Sequence, residues 1–586
     1  MNAMSDIERS PPADTAAPML RVDGLTTELL TRSGPRIVVD RLSFDVGAGE
    51  VLAIIGESGS GKSVAMQSLL GLLPSPPGLV TAGTALFEGR DLLTLPPSEL
   101  RKLRGNRIGM IFQEPMSALN PLMRIGDQIA ETLVTHRAMS WSAARAEAVR
   151  LLDRVRIPDA IGRASLTPSA LSGGMRQRVV IAAAIACKPA LIIADEPTTA
   201  LDATVQAEIL GLIRELQCEM GCAVILITHD VSVVRQVADR LLVMQRGRML
   251  ESGATAEVLG APETDYTRIL IAAAQPATSG PRAIEPPDRT RPPPLAIEDL
   301  VVSFPRSASL ASLAAPERIF AVDGVRLSIA EGETMALVGE SGSGKTTLAR
   351  AILGLATIDA GRVRLTGEDI TANPRAVRGK VQFVFQDPQA SLDPRYRAWQ
   401  SVIEPLQLAG ERNTAILRDK AAELLDKVGL DAIYLDRFTH ELSGGQRQRL
   451  GVARALSVSP KLVIADEAVS ALDATTRLQV LELFQAIQRD TELPFLFITH
   501  DFAVITRVAH RVAVMRFGQL VEIGPTDAIM RHPQHSYTRA LIASAEGAVT
   551  VSEARRGPRT GKAGSQPDWA PLRDLGGGHF VAHEEA

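Results

Sequence analysis

The string GESGSGKS, running from Gly56 to Ser63, returns almost unchanged as GESGSGKT from Gly339 to Thr346. Both copies fit G-x-x-x-x-G-K-[ST], a loop whose backbone wraps phosphate groups. Such a loop works only between a buried strand and the helix that follows it. Two copies therefore dictate two α/β units in one chain.

Later motifs recur in the same order. Gln113 in IFQEP and Gln386 in VFQDP lie 273 residues apart, against 283 for the two phosphate loops. LSGGM at Leu171 and LSGGQ at Leu442 are 271 apart, as are Asp195 and Asp466, and His229 and His500. A constant offset over the last three pairs means that these stretches align without gaps. The ten-residue difference is expected in PSPPGLVTAG-like turn material after the first loop.

Apolar runs precede the motifs: VLAIIG and TMALVG, ALIIAD and KLVIAD, AVILIT and PFLFIT. Runs of that length, apolar at every position, predict strands buried on both faces of a parallel sheet covered by helices. The fold class is α/β, two tandem phosphate-loop domains, each with a mainly parallel sheet and a small helical subdomain.

Boundaries follow from composition. Residues 1–18 form an expected disordered tail, 19–274 the first domain, 275–294 a Pro-rich linker, 295–545 the second domain and 546–586 a flexible tail. A chain of 586 residues with 45% hydrophobic and 22% charged residues is of soluble globular type and too long for one core. Net charge of −4 gives none of the basic excess common in nucleic-acid binders. Three cysteines, Cys187, Cys218 and Cys222, provide no disulfide framework and read as ordinary thiols. No apolar stretch reaches the ~18–20 residues needed to span a bilayer, and Asp6, Glu8 and Pro11 stand where a signal peptide needs an apolar core.

The chemistry follows from residue types. Gly56, Glu57, Ser58, Gly59, Ser60 and Gly61 in the first loop, and Gly339, Glu340, Ser341, Gly342, Ser343 and Gly344 in the second, present backbone N–H groups to anionic oxygens. Lys62 and Lys345 are expected at the β- and γ-phosphates, and Ser63 and Thr346 on Mg²⁺. Asp195 and Asp466 end apolar strands, where a carboxylate suits holding Mg²⁺ through its water shell. The adjacent Glu196 and Glu467 are placed as general bases toward an attacking water. Ser172, Gly173 and Gly174, and Ser443, Gly444 and Gly445, each open a helix and make a second anion site.

This ordered set resembles the ATP-binding subunits of ABC transporters over about 500 of the 586 residues, LSGGQ being its most discriminating element. The resemblance implies ATP and Mg²⁺ as cofactors and head-to-tail pairing of the halves. Site one would join Lys62, Ser63, Gln113, Asp195, Glu196 and His229 to Ser443 and Gly445. Site two would join Lys345, Thr346, Gln386, Asp466, Glu467 and His500 to Ser172 and Gly174. It further implies Gln113 and Gln386 as metal ligands, His229 and His500 at the γ-phosphate, and Asp202 and Asp473 bridging the halves. Phe320, with Phe304 as alternative, would stack on adenine; the aligned first-half residues are Ile37 and Leu29, which predicts either weaker binding at site one or adenine stacked on another residue there.

QEPMSALNP, QDPQASLDP, ETDYTRILIAAA and HSYTRALIASA further resemble the dipeptide, oligopeptide and nickel importer branch. That implies two permease subunits docked on the helical segments at about 114–170 and 387–441, an extracytoplasmic binding protein, and a place at the cytoplasmic face of the inner membrane. No nucleic-acid partner is implied. The alternative, a soluble tandem ATPase acting on ribosomes or nucleic acid, is disfavoured by the short proline-rich linker and the lack of zinc-type cysteine clusters. Ala468 replaces the proline of Glu196-Pro197, which is expected to loosen the turn at Glu467.

Overall fold

A computed structural model describes residues 18–31, 34–198, 201, 203–275, 292–305, 317–545, 559–561 and 572–583. Residues 1–17 of the expected N-terminal tail and 276–291 of the expected linker lie outside these residues. The chain divides into two compact units, Met1–Ala200 with Ile209–Arg268 and Leu201–Glu208 with Ile269–Ala586. The division falls inside the helix Asp265–Ala274, ahead of the expected linker.

In the first unit the strands Val51–Ile55, Ala223–Thr228, Leu191–Asp195 and Ile108–Ile111 run parallel, with Arg240–Gln245 parallel on the other side of Val51–Ile55. Arg248–Ala254 closes that edge antiparallel. All five residues of Val51–Ile55 are buried, the outcome expected for a strand covered on both faces. A second, antiparallel sheet has the order Gly34–Val46, Leu20–Thr31, Gly78–Phe87, Arg90–Asp91. Leu20, Leu42, Phe87, Ile54 and Met66 fill the core between the sheets and the helix that follows the phosphate loop.

The second unit repeats the plan. Val381–Val384, Leu462–Asp466, Phe495–Ile498, Thr334–Val338 and Arg511–Arg516 run parallel, with Gln519–Pro525 antiparallel beside them. Beyond Gln519–Pro525 lies a hairpin, His579–Val581 with Arg573–Gly576. The expectation of a flexible tail from 546 onward is thus wrong for these residues. Glycine-rich composition suggests looseness, whereas Gly577 and Gly578, at φ 62° and 77°, form the hairpin's two-residue turn. His579 Nε2 bonds the buried Glu522 carboxylate at 2.8 Å, which anchors the hairpin.

The ten-residue offset is also corrected. Leu20 pairs with Phe87, and its counterpart Leu295 with Leu365, so the strand ending at Phe87 is displaced by 278 residues from the one ending at Leu365. Half the difference therefore precedes Phe87, in the turn and the longer strand Gly78–Phe87. The other half lies after it, where the helix Pro97–Leu103 replaces the short turn Pro374–Val377.

The segments after the glutamines are helical, as expected. Trp141–Arg154 buries Ala144, Ala148, Leu151 and Leu152, and Thr414–Lys427 buries Leu417, Ala421, Leu424 and Leu425. Both follow the i, i+4, i+7, i+8 spacing of one buried helix face. Each begins at a capping side chain, Ser140 or Asn413.

Candidate active site

In each unit the phosphate loop, the glutamine, the Asp-Glu pair and the histidine meet along one sheet edge, because they follow the carboxyl ends of neighbouring parallel strands. Ile55 leads into the first phosphate loop, Thr228 into His229, Asp195 into Glu196, and Ile111 is followed two residues later by Gln113.

The loop's shape depends on glycine. Gly56 has φ 156°, and a Cβ there would stand 2.1 Å from the Met244 carbonyl oxygen; Gly339 repeats this against Met515 at 2.1 Å. Lys62 Nζ donates to the Gly56 and Glu57 carbonyls, both at 2.8 Å, and Lys345 Nζ to Gly339 and Glu340 at 2.7 and 2.8 Å. Each buried ammonium is thereby held inside the curl of its loop, the place where phosphate oxygens need a cation.

The Ser63–Asp195 pair fits the Mg²⁺ expectation by its chemistry: hard oxygens, one hydroxyl and one carboxylate. Ser63 Oγ donates to Asp195 Oδ1 at 2.8 Å. Burial pushes the Asp195 carboxyl up, and the Glu196 charge adds to that, while the Ser63 bond opposes it. In the second unit burial, reinforced by Glu467, pushes Asp466 up to about 6. A divalent cation would relieve both carboxylates.

The two glutamates are the most constrained residues of the site. Glu196 has φ 44° and Glu467 φ 47°, a left-handed conformation that non-glycine residues seldom adopt. Their N–H groups bond Ile227 and Ile498 carbonyls at 2.9 and 2.8 Å, which fixes the turn to the neighbouring strand. Glu196 accepts from Gln113 Nε2 at 2.8 Å and lies 3.2 Å from His229 Nδ1. Glu467 lies 3.3 Å from His500 Nδ1. Burial alone would raise Glu467, yet His500 holds its carboxyl below the ordinary value. Burial would lower His500; the Glu467 carboxylate overrides it and raises the imidazole.

The expected loosening at Ala468 does not occur. Ala468 is buried, and Ser470 donates through both N–H and Oγ to the Glu467 carbonyl, at 3.1 and 2.9 Å, closing the turn without the proline.

Ser172 and Ser443 are exposed N-caps of the helices Gly173–Ile185 and Gly444–Leu456. Ser443 forms a reciprocal box, its Oγ accepting from Gln446 N and its own N donating to Gln446 Oε1 at 2.9 Å. Met175 replaces that glutamine in the first unit, so only the Ser172 Oγ bond, 3.3 Å from Met175 N, remains. Asp473 caps the helix Ala474–Thr491 by accepting from Thr476 N at 2.9 Å. Asp202 lies outside the described residues.

The aromatic expectation is corrected. Phe320 is buried, with the Arg559 guanidinium 3.8 Å from its ring centre, so its face is not open to a base. Phe304 is 46% exposed and is the aromatic left open on that strand pair.

Sequence reasoning gave no role to two tyrosines. Tyr266 Oη accepts from the Glu57 N–H at 2.9 Å, and Tyr537 Oη from the Glu340 N–H at 3.0 Å. Each pins its phosphate loop from about 200 residues downstream. The signal was present: both lie in the YTR motifs, 271 residues apart like the other paired residues.

A lysine curled in a phosphate loop, a strand-end carboxylate and a glutamate beside histidine make a site suited to ATP hydrolysis, built twice. The family model "ABC transporter" matches residues 39–199 and 322–470, and "Oligopeptide/dipeptide transporter, C-terminal region" matches 521–571. The chain is 43% identical to the glutathione import ATP-binding protein of Escherichia coli O6:H1, over 97% of this chain and 98% of that one. Its counterpart from Pectobacterium atrosepticum is 44% identical over 93% of each chain. The chain belongs to the ATP-binding proteins of ABC transporters, in the oligopeptide/dipeptide importer branch, as an ATPase that powers solute import. Among the described residues no helix is long and apolar enough to cross a membrane.

Proposed function

We propose that the two halves clasp two ATP molecules head to tail, each half lending its signature serine and glycines to the other's phosphate loop. Lys62 and Lys345 would bind the β- and γ-phosphates. Ser63, Gln113 and Asp195, and Thr346, Gln386 and Asp466, would hold Mg²⁺, which shields phosphate charge when bound. Glu196 and Glu467 take the proton of the attacking water, oriented by His229 and His500. Closure and reopening of the clasp drive two permease subunits, docked on the helical segments at 114–170 and 387–441, at the cytoplasmic face of the inner membrane. The cargo, delivered by an extracytoplasmic binding protein, is a short peptide-like solute of the glutathione kind, as the relatives' names suggest.

The observation that carries this reading is the exposed, serine-capped helix start at each signature motif. It is an anion site on a different helix from the one that follows the unit's own phosphate loop. The test is a disulfide crosslink within one chain between Ser58→Cys and Ser443→Cys, with the exposed Cys218 replaced by serine. We expect a gel-mobility shift that forms with ATP when both glutamates are changed to glutamine. No crosslink in the presence of ATP refutes the clasp.

A further inference from the structure

The two units support their phosphate loops by the same relay, with one difference. In the first unit the Gly247 N–H bonds the Ser60 carbonyl at 2.9 Å, and the Gly247 carbonyl accepts from Asp40 N at 2.8 Å. The Asp40 carboxylate is held by Arg248 Nε at 2.6 Å. In the second unit Gly518 bonds Ser343 at 2.8 Å, and Asp323 N bonds Gly518 at 2.8 Å. The residue in the place of Arg248, however, is Gln519, a neutral amide 3.2 Å from Asp323 Oδ2.

Asp323 is fully buried on its side chain, so a neutral partner leaves a costly buried charge. The missing cation arrives from far along the chain. Arg559 Nε and Nη2 bond the two Asp323 oxygens at 2.8 and 2.9 Å in a planar fork. The same guanidinium lies over Phe320, the Arg559 carbonyl accepts from Phe320 N at 3.0 Å, and Thr560–Gly561 pairs with Arg318–Ile319. The strand so fastened passes directly under the phosphate loop, since a Cβ on Gly344 would lie 2.1 Å from the Ala321 oxygen.

We propose that Arg559 is a positioning residue of the second ATP site: it supplies in trans-segment form the counter-charge that Arg248 supplies locally in the first. The relay Arg559–Asp323–Gly518–Ser343 then sets the curl of the Gly339–Thr346 loop. Nucleotide binding at site two depends on the segment 559–561, and binding at site one does not.

The test is calorimetric binding of ADP with Mg²⁺ to the full chain, with one loop disabled at a time. In a Lys62→Ala chain, Arg559→Ala raises the Kd of site two about tenfold. In a Lys345→Ala chain, the same substitution leaves site one unchanged. Adding Gln519→Arg to Arg559→Ala copies the first unit's arrangement and brings site two back to within about twofold. An unchanged Kd at site two, an equal loss at both sites, or a loss that Gln519→Arg leaves unrepaired each overturns the proposal. Should Arg559→Ala not fold, the double variant decides alone: folding with near-native affinity supports the proposal, and its failure overturns it. The proposal rests on the second loop being a nucleotide cradle; absence of binding in the Lys62→Ala chain with Arg559 intact refutes that reading instead.

Discussion

Replacing Tyr266 by phenylalanine removes one oxygen and little else, which makes it a sharp probe of the first phosphate loop. The Tyr266 ring is buried, so the shape is kept, while the Glu57 N–H loses an acceptor at 2.9 Å. An amide donor stranded away from water costs about 1–3 kcal/mol, but Glu57 is only half-buried, and water recovers part of that. A cost of about 1 kcal/mol in the loop's binding-ready form follows, or about fivefold in nucleotide affinity. The measurement is ADP binding by calorimetry in a Lys345→Ala chain. Tyr537→Phe in a Lys62→Ala chain should give the same loss, because its bond to Glu340 N has nearly the same length, 3.0 Å. If both variants bind ADP as tightly as their parents, the tyrosines do not hold the loops and the reasoning fails.

Two further outcomes follow from the asymmetries of the units. Met175→Gln should close the capping box that Ser443 and Gln446 form in the second unit, stabilising the first by about 0.5–1 kcal/mol; an unmoved urea midpoint would count against it. Asp466 is raised from 3.8 to about 6, so the metal-free fold binds its proton more tightly than the unfolded chain does. Its contribution to stability is therefore complete at low pH and lost as pH rises from 3.8 through about 6. Asp466→Asn should accordingly gain stability relative to the parent across that window; parallel melting curves from pH 4.5 to 7 without Mg²⁺ would refute it.

The order and chemistry of the motifs were legible in the sequence because they depend on local rules. A glycine loop after an apolar run must be a strand-to-helix turn, and the fully buried Val51–Ile55 and Thr334–Val338 meet that expectation. Glu196 and Glu467 directly follow the strands that end at Asp195 and Asp466, and their left-handed backbone belongs to that same tight turn. Ala468 misled because proline is one way to close a turn, and Ser470 provides another through side-chain and backbone bonds invisible in a motif.

What the chain alone determined is the repeated local chemistry: which residues sit at each sheet edge and which helices start at a serine cap. The tertiary structure decided which distant side chains complete those local pieces. Tyr266 reaches Glu57, Arg559 covers Phe320 and neutralises Asp323, and His579 ties a glycine-rich hairpin to Glu522. The physical reason is that a buried donor or charge must be satisfied by whatever partner the fold brings near. Sequence spacing encodes the need for such a partner but not its address.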